Sequence, residues 1–264
     1  MAGQMLWLGH RGHRRPQWQE QENSLAAFDR ALACGCHGLE MDLRLTADGR
    51  VVIHHDPELR CGRQVLPLAQ YSWRRLRCSN ADLVTLETVL RRYRNRAWMD
   101  LELKTIEAVA PAVHALARYP PQRGFVISCF DAAVLRQLAR LAPELPRCLN
   151  LERPCSLARI REASVDWVAP RESACTPGFV QRLQLHGWQV LVWTVNRQTR
   201  MRQLVRAGVD AICSDYPDLL VRTLAGSACR ATEIAVPASF IKNEHCGSRH
   251  STAGGKPGRM VPES

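Results

Sequence analysis

The chain has 264 residues, 46% of them hydrophobic, which suits one large globular domain such as an α/β barrel. No apolar run approaches the roughly 18 to 20 residues of a membrane span, so stable membrane insertion is not expected. The formal net charge of +11 favours an anionic partner. Because no nucleic-acid-binding motif accompanies the charge, we expect a small phosphate-bearing substrate and no nucleic acid.

Apolar strand-like runs alternate along the chain with amphipathic helix-like stretches. The eight predicted strands are Leu6 to Gly9, Gly38 to Leu43, Ala97 to Leu103, Phe125 to Ser128, Arg147 to Leu151, Trp167 to Ala169, Gln189 to Thr194 and Ala211 to Ser214. The helices between and after them are Ser24 to Cys34, Thr85 to Arg94, Glu107 to Arg118, Asp131 to Leu141, Ser156 to Glu162, Thr176 to His186, Arg197 to Ala207 and Pro217 to Leu224. Repeated βα units in this number predict the α/β class and a (β/α)8 TIM barrel.

Two regions fall outside the repeat. Residues 57 to about 84 are too long for a simple loop and predict a small insertion after the second strand, over the barrel mouth. After residue 225 the helical pattern stops, so the barrel is expected to occupy residues 1–225 and a flexible tail residues 226–264.

The cysteines and the amino terminus both bear on where in the cell the protein is located. The eleven cysteines are scattered, without paired CxxC spacing, which is typical of a reducing compartment. The segment Met1 to Leu8 is too short and uncharged for a secretory signal. We therefore expect a cytoplasmic protein. Its oligomeric state is not given by the sequence.

Two carboxylates stand one residue apart in the second predicted strand. Glu40 and Asp42 point to the same face, since side chains alternate along a strand, so the pair could hold one hard cation. Glu102, near the end of the third strand, would supply a third oxygen ligand. Alternatively, Glu40 and Asp42 are ordinary charges on a solvent-facing strand face. Catalytic groups of a barrel collect at the carboxyl ends of its strands, which favours the metal site.

Two histidines fall beside these acids in the predicted fold. His10 follows the first strand. His55 follows a short strand, Val51 to Ile53, which the Asp48-Gly49 turn would bring back to the end of the acid-bearing strand. Imidazole changes charge near neutral pH, so both histidines are predicted to transfer protons.

Together, short motifs along the chain resemble those of the glycerophosphodiester phosphodiesterase family. They are His10-Arg11-Gly12, Glu22-Asn23-Ser24, Glu40-Met41-Asp42, Val51-Val52-Ile53-His54-His55-Asp56, Glu102-Leu103-Lys104, Ser128-Cys129-Phe130, Val192-Trp193-Thr194-Val195-Asn196 and Ser214-Asp215-Tyr216-Pro217. Their order and spacing match from about residue 5 to about residue 220. The resemblance implies a (β/α)8 barrel that hydrolyses glycerophosphodiesters to glycerol 3-phosphate and an alcohol, using one divalent cation, Mg²⁺ or Ca²⁺.

The family pattern also implies roles for individual residues. The acids Glu40, Asp42 and Glu102 would bind the metal, and His10 and His55 would do the acid–base catalysis. Arg11 and Lys104 would hold the phosphate. Glu22 and Asn23 would support the metal and phosphate site, although from the residues alone they could merely cap the first helix. Trp193 would wall the alcohol side of the mouth, or it is packing in the barrel.

Alternative functions are a lysophospholipase D-like hydrolysis of lysophospholipids and a phosphate-binding barrel that has lost catalysis. An apolar groove near residues 57–84 would favour the first. The presence of both histidines and all three acids speaks against the second.

Overall fold

The computed structural model describes residues 5–14 and 21–225, and within them eight parallel strands close into a ring. The ring runs β1-β2-β6-β7-β8-β9-β10-β11 and closes where β1 pairs with both β11 and β2. The predicted (β/α)8 barrel is confirmed. The strands of the chain are β1 (Leu6–His10), β2 (Gly38–Leu45), β3 (Val51–Ile53), β4 (Glu58–Cys61), β5 (Gln64–Pro67), β6 (Trp98–Leu103), β7 (Phe125–Cys129), β8 (Arg147–Leu151), β9 (Trp167–Pro170), β10 (Gln189–Val192) and β11 (Ala211–Ser214).

Helices follow the strands of the ring, and most begin at a residue that caps them. Ser24, Thr85, Asp131, Ser156 and Thr176 each accept a hydrogen bond from a backbone N–H in the first turn, an interaction typically worth about 1 kcal/mol. The helices are α1 (Leu25–Ala33), α2 (Trp73–Ser79), α3 (Leu86–Tyr93), α4 (Val109–Arg118), α5 (Ala132–Leu141), α6 (Leu157–Glu162), α7 (Pro177–Leu185), α8 (Gln198–Arg206) and α9 (Pro217–Ala225).

Three predicted boundaries differ from the structure by two residues. The second strand, expected to end at Leu43, runs to Leu45. The helix expected from Glu107 starts with a 3₁₀ turn, Ile106–Ala108, before α4 begins. The strand expected to reach Thr194 ends at Val192, because Trp193 leaves the regular ladder and forms an isolated bridge with Arg171.

The interior of the ring is filled by a separate apolar cluster. Its members are Leu6, Leu8, Trp98, Val126, Cys148, Trp167, Ala169, Leu191, Ala211 and Cys213. Side chains alternate between the two faces of a strand, so every second residue of a ring strand points into the barrel. Beyond the apolar cluster, toward the carboxyl ends of the strands, these inward residues are polar. On β1, His10 follows Leu8, and on β6, Asp100 and Glu102 follow Trp98.

The insertion predicted after the second strand is present and has a small core of its own. β4 and β5 form an antiparallel pair, and α2 packs with them through Val52, Leu59, Leu66, Leu68, Leu76 and Leu83. The insertion is tied to the β2–β3 turn, since the Trp73 N–H donates to Asp48 Oδ1 at 2.8 Å.

Residues 226–264, the predicted tail, lie outside the described part of the chain. Among the helices that the structure describes, none combines the length and the apolar character that crossing a membrane requires.

Candidate active site

Three buried carboxylates meet at the carboxyl ends of β2 and β6. The parallel register places Asp42 opposite Glu102, with Glu40 two residues before Asp42 on the same face. One oxygen from each of the three lies within 4.8 Å of the others. Oxygens bound to one Ca²⁺ at about 2.3–2.6 Å can be no more than about 5 Å apart, so this all-oxygen set fits a single hard cation.

The three carboxylates differ in how strongly they are neutralised by their neighbours. Burial raises the pKa of Glu40 well above its usual value, and the charges of Asp42 and Asp100 add to the rise. Burial also raises the pKa of Glu102. Although burial opposes it, the pKa of Asp42 is lowered, chiefly by the charges of Lys104 and Arg11. Crowded carboxylates of this kind are stabilised in their ionised form by a bound cation.

Lys104 and Arg11 supply the positive charge around Asp42. Lys104 Nζ lies 2.8 Å from Asp42 Oδ1 and also contacts Glu102 Oε1. Arg11 Nε lies 3.1 Å from Asp42 Oδ2. Both side chains are largely buried, so these ion pairs are little screened by solvent.

The backbone after β1 is shaped to bring Arg11 to the acids. Arg11 has φ of 53°, a left-handed conformation that is uncommon for residues other than glycine. Gly12 follows with φ of 88°, and a Cβ there would lie 2.6 Å from the Ala27 carbonyl carbon. The resulting turn directs the Arg11 N–H to Glu40 Oε2, at 2.9 Å. Backbone strain of this kind is often found at functional sites.

Glu22 and Asn23 contact the site directly, whereas Ser24 caps α1. The Asn23 side-chain amide donates to Asp42 Oδ2 at 2.8 Å. Glu22 Oε1 accepts a hydrogen bond from Arg11 Nη1 at 2.8 Å. Asn23 therefore helps to hold Asp42 in place, and Glu22 helps to hold Arg11.

His10 lies between the acid cluster and a further carboxylate. Its Nε2 is 3.7 Å from Glu40 Oε2, and its Nδ1 is 2.7 Å from Asp215 Oδ1. The side chain is 13% exposed, and burial lowers the pKa of His10 below its ordinary value of 6.5. The ring is therefore mainly neutral at pH 7.

His55 is more exposed, at 37%, and its Nδ1 lies 2.8 Å from Asp56 Oδ1. The preceding backbone is fixed beside the acids, since the His54 N–H donates to the Asp42 carbonyl at 2.9 Å. Within residues 5–14 and 21–225, no hydrogen bond or ion pair joins the His55 ring to Glu40, Asp42 or Glu102. The structure thus brings His10 into contact with the cluster and holds His55 against Asp56.

Trp193 contacts the apolar interior of the barrel and is also partly exposed. Its indole N–H donates to the Ala169 carbonyl at 2.7 Å, and the indole packs against the apolar cluster inside the barrel. It is nevertheless half-buried, and it meets Phe130 edge to face with centroids 5.4 Å apart. Phe130 is 39% exposed, so the two rings form a partly exposed apolar surface.

Four acidic, basic or amide residues join the site without having been assigned to it from the sequence. Asp215 and Asn196 lie beside His10, Arg14 joins Asp215 to Glu22, and Asp100 lies under the acids. Alternation could have identified Asp100, which is two residues before Glu102, and the end of the last strand could have identified Asp215. No sequence signal indicates Arg14, which acts from an irregular loop.

The chain is similar to a family of known proteins over most of its length. The glycerophosphoryl diester phosphodiesterase family model matches residues 10–219. A glycerophosphodiester phosphodiesterase of Caldanaerobacter subterraneus is 26% identical over 82% of this chain and 96% of that protein.

Solved structures agree with this similarity. A putative glycerophosphoryl diester phosphodiesterase from Silicibacter pomeroyi superposes with a TM-score of 0.75 at 25% identity, over 86% of this chain and 95% of that one. A phosphodiesterase from Oleispira antarctica, in complex with the product sn-glycerol-3-phosphate, gives a TM-score of 0.73 at 25% identity over 83% and 96%.

Proposed function

Because the chain belongs to the glycerophosphoryl diester phosphodiesterase family, we propose that it hydrolyses glycerophosphodiesters to glycerol 3-phosphate and an alcohol. The observation that carries the proposal is the cluster of Glu40, Asp42 and Glu102, with their oxygens within 4.8 Å, at the carboxyl ends of barrel strands. The product found in the Oleispira antarctica phosphodiesterase supports the same reaction.

Glu40, Asp42 and Glu102 would hold one divalent cation, Mg²⁺ or Ca²⁺. Carboxylate oxygens are the ligands that both ions prefer, and thiol or imidazole ligands are not required. When bound, the cation supplies positive charge that stabilises the phosphate as negative charge develops in the transition state.

Arg11 and Lys104 would bind the phosphate. Three carboxylates and two basic side chains leave the cluster with one negative charge when all are ionised. With a divalent cation added, the cluster carries one positive charge, which complements the single negative charge of a phosphodiester. Glu22 and Asn23 would preserve this arrangement, because they hold Arg11 and Asp42.

His10 and His55 would transfer the protons. Each ring has its Nδ1 against a carboxylate, of Asp215 and Asp56 respectively, which leaves Nε2 to exchange a proton with the substrate. One histidine takes the proton of the attacking oxygen, and the other gives a proton to the departing alcohol. General acid–base catalysis of this kind contributes about 10²- to 10⁴-fold for each group.

The alcohol half of the substrate would meet Trp193. The partly exposed surface that Trp193 forms with Phe130 offers apolar contact and no ionic group. We therefore expect little discrimination among alcohols, and the phosphate to supply most of the recognition.

Hydrolysis of lysophospholipids is the alternative substrate class. An acyl chain needs an apolar groove, and the sequence indicates residues 57–84 as the segment that could form one. Its leucines are instead buried against one another, and among residues 57–84, all of which the structure describes, Val65 is the only large hydrophobic side chain that is exposed. This packing favours the soluble diester.

A substrate panel tests the proposal. The purified protein, with Mg²⁺ or Ca²⁺, is offered glycerophosphocholine, glycerophosphoethanolamine and glycerophosphoglycerol beside lysophosphatidylcholine and a short single-stranded DNA. Release of glycerol 3-phosphate from the three diesters at similar rates is the expected result. Preferential release of lysophosphatidate would replace the diester with the lysolipid, and no cleavage of any substrate would reject an enzymatic role.

A further inference from the structure

Asp215 is the carboxylate against which His10 rests, and both of its oxygens are engaged. Oδ1 lies 2.7 Å from His10 Nδ1 and accepts a hydrogen bond from Arg14 Nη1 at 2.8 Å. Oδ2 accepts a hydrogen bond from the Asn196 side-chain amide at 2.6 Å. Asp215 directly follows β11, whose residues pair with β1, so the two ends of the ring bring it to His10.

Asn196 is itself fixed, which leaves Asp215 little freedom to turn. Asn196 Oδ1 accepts hydrogen bonds from the Ser214 hydroxyl at 3.1 Å and from the Asp215 backbone N–H at 3.0 Å. The Asn196 side chain thus bonds both to the carboxylate of Asp215 and to the backbone N–H of Asp215. This rigidity is what a group that orients a neighbour requires.

We propose that Asp215 is a positioning residue that fixes both the tautomer and the orientation of His10. An ionised carboxylate can only accept hydrogen bonds, so at 2.7 Å it requires a proton on His10 Nδ1. A neutral ring with that proton presents its lone pair at Nε2, the nitrogen nearer Glu40. The other tautomer would set the Nδ1 lone pair against the carboxylate, which is repulsive, and would leave it only the longer contact with Arg14 Nη1, at 3.4 Å.

Arg14 provides the competing explanation for the same contacts. Its guanidinium bridges Asp215 to Glu22, with Arg14 Nε 2.5 Å from Glu22 Oε2. On that view Asp215 anchors the loop after β1, and its contact with His10 is incidental. The two explanations predict different results when Arg14 and Asp215 are changed separately.

The decisive measurement is the tautomer of His10, read from long-range ¹H–¹⁵N spectra of the labelled full-length protein at about pH 8, where a histidine ring is neutral. The His10 signals are identified by their absence in His10→Ala. The unchanged protein should carry the proton on Nδ1. Asp215→Asn should shift the population toward Nε2–H, and Arg14→Gln should not.

Kinetics supply the second readout, and this part rests on the proposed function. Asp215→Asn should lower kcat for glycerophosphocholine about 10²- to 10³-fold, by analogy with other carboxylate–histidine pairs, with KM changed less than about twofold. Arg14→Gln should lower kcat much less than Asp215→Asn does. The matched control Asp82→Asn removes an exposed acid of the insertion and should change neither kcat nor the tautomer.

An unchanged tautomer in Asp215→Asn, or an Arg14→Gln variant that reproduces the whole loss of kcat, would overturn the positioning role. Should Asp215→Asn not fold, Asn196→Ala takes its place, with the same direction of tautomer shift and a smaller loss of kcat. If the unchanged protein cleaves no diester, the proposed function fails, whereas the tautomer spectra still decide the role of Asp215.

Discussion

His10 and His55 share a way of being held but differ in their surroundings. Each has a carboxylate at Nδ1, yet His10 is 13% exposed and His55 is 37% exposed. His10 is therefore enclosed beside the acids, and the His55 ring is less enclosed. In the described part of the chain, the His55 ring bonds to Asp56.

Removing either imidazole should stop the reaction while leaving the barrel folded. We expect His10→Ala and His55→Ala each to lower kcat by about 10²-fold or more, because in the proposed mechanism each supplies one of the two proton transfers. The measurement is steady-state hydrolysis of glycerophosphocholine with added cation. His114→Ala, on the exposed face of α4, is the control and should keep its full rate. A near-normal rate in either variant would remove that histidine from the mechanism.

Single residues also show how far the sequence determines the site. The pairing of Glu40 with Asp42 follows from alternation along one strand, and Glu102 follows because parallel strands end at one edge. The contact of Arg14 with Asp215 joins residues 201 positions apart through an irregular loop. No local pattern encodes such a contact, because it depends on how the closed ring places the loop after β1.

Strand β6 carries a buried acid that the proposed chemistry does not use. Asp100 faces inward between Trp98 and Glu102 and is 3% exposed. Burial raises the pKa of Asp100 from 3.8 to about 7, and the charges of Glu102 and Asp42 add to the rise. Its Oδ1 has no hydrogen-bond partner among the residues that the structure describes.

The raised pKa of Asp100 makes a pH-dependent contribution to stability. A carboxyl whose folded pKa exceeds its unfolded pKa binds a proton more tightly when folded, so stability falls as pH rises from about 4 to about 7. Asp100→Asn removes this loss. The measured quantity is the free energy of unfolding of Asp100→Asn minus that of the unchanged protein, both without cation. We expect this difference to be about 2 kcal/mol more favourable to the variant at pH 8 than at pH 5.

Urea denaturation at the two pH values measures the effect of Asp100→Asn. Asp131→Asn, in which an exposed capping acid is changed, serves as the control because its hydrogen bond to the Ala133 N–H is made at the surface. A stability difference for Asp100→Asn that is the same at pH 5 and pH 8 would contradict the buried, proton-binding carboxyl.

At the scale of elements, the sequence predicted the order of strands and helices because caps and apolar runs are local signals. Ser24 and Thr85 fix where helices begin, and short apolar runs mark the ring strands. The end of β10 was not predictable in the same way. Trp193 and Thr194 favour strands by residue type, yet the ladder ends at Val192 because Trp193 turns to bond with Ala169.

Across the whole molecule, cation binding should stabilise the fold as well as permit hydrolysis. Glu40 and Glu102 have raised pKa values, so the cation-free protein contains crowded carboxylates that a bound Mg²⁺ or Ca²⁺ relieves. At a hundred times its dissociation constant, a cation should add about 2.7 kcal/mol to the free energy of unfolding. Thermal unfolding with and without chelator measures the gain.

Two variants separate specific from general effects of the cation. Glu40→Gln should lose most of the stabilisation, and Glu152→Gln, which removes an exposed acid paired with Arg171, should keep it. Full hydrolysis after exhaustive chelation, with no residual metal by elemental analysis, would reject metal dependence.

We propose that residues 1–225 form the catalytic unit, since the family match ends at residue 219 and α9 ends at Ala225. A chain that stops after Ala225 should therefore fold and hydrolyse glycerophosphocholine with an unchanged kcat. Circular dichroism checks the fold, and the same glycerol 3-phosphate assay checks the rate. Loss of activity in a folded truncated protein would assign residues 226–264 a part in the reaction.

The closure of the ring between β1 and β11 has a consequence for the growing polypeptide. His10 is made among the first residues, and Asp215, which we propose orients it, comes 205 positions later. A nascent chain that stops before β11 already contains the three proposed cation ligands and both histidines, but it lacks the carboxylate that contacts His10 Nδ1. On the proposed positioning role, we expect unfinished or carboxyl-terminally clipped chains that have lost β11 to be inactive until the last strand joins the first.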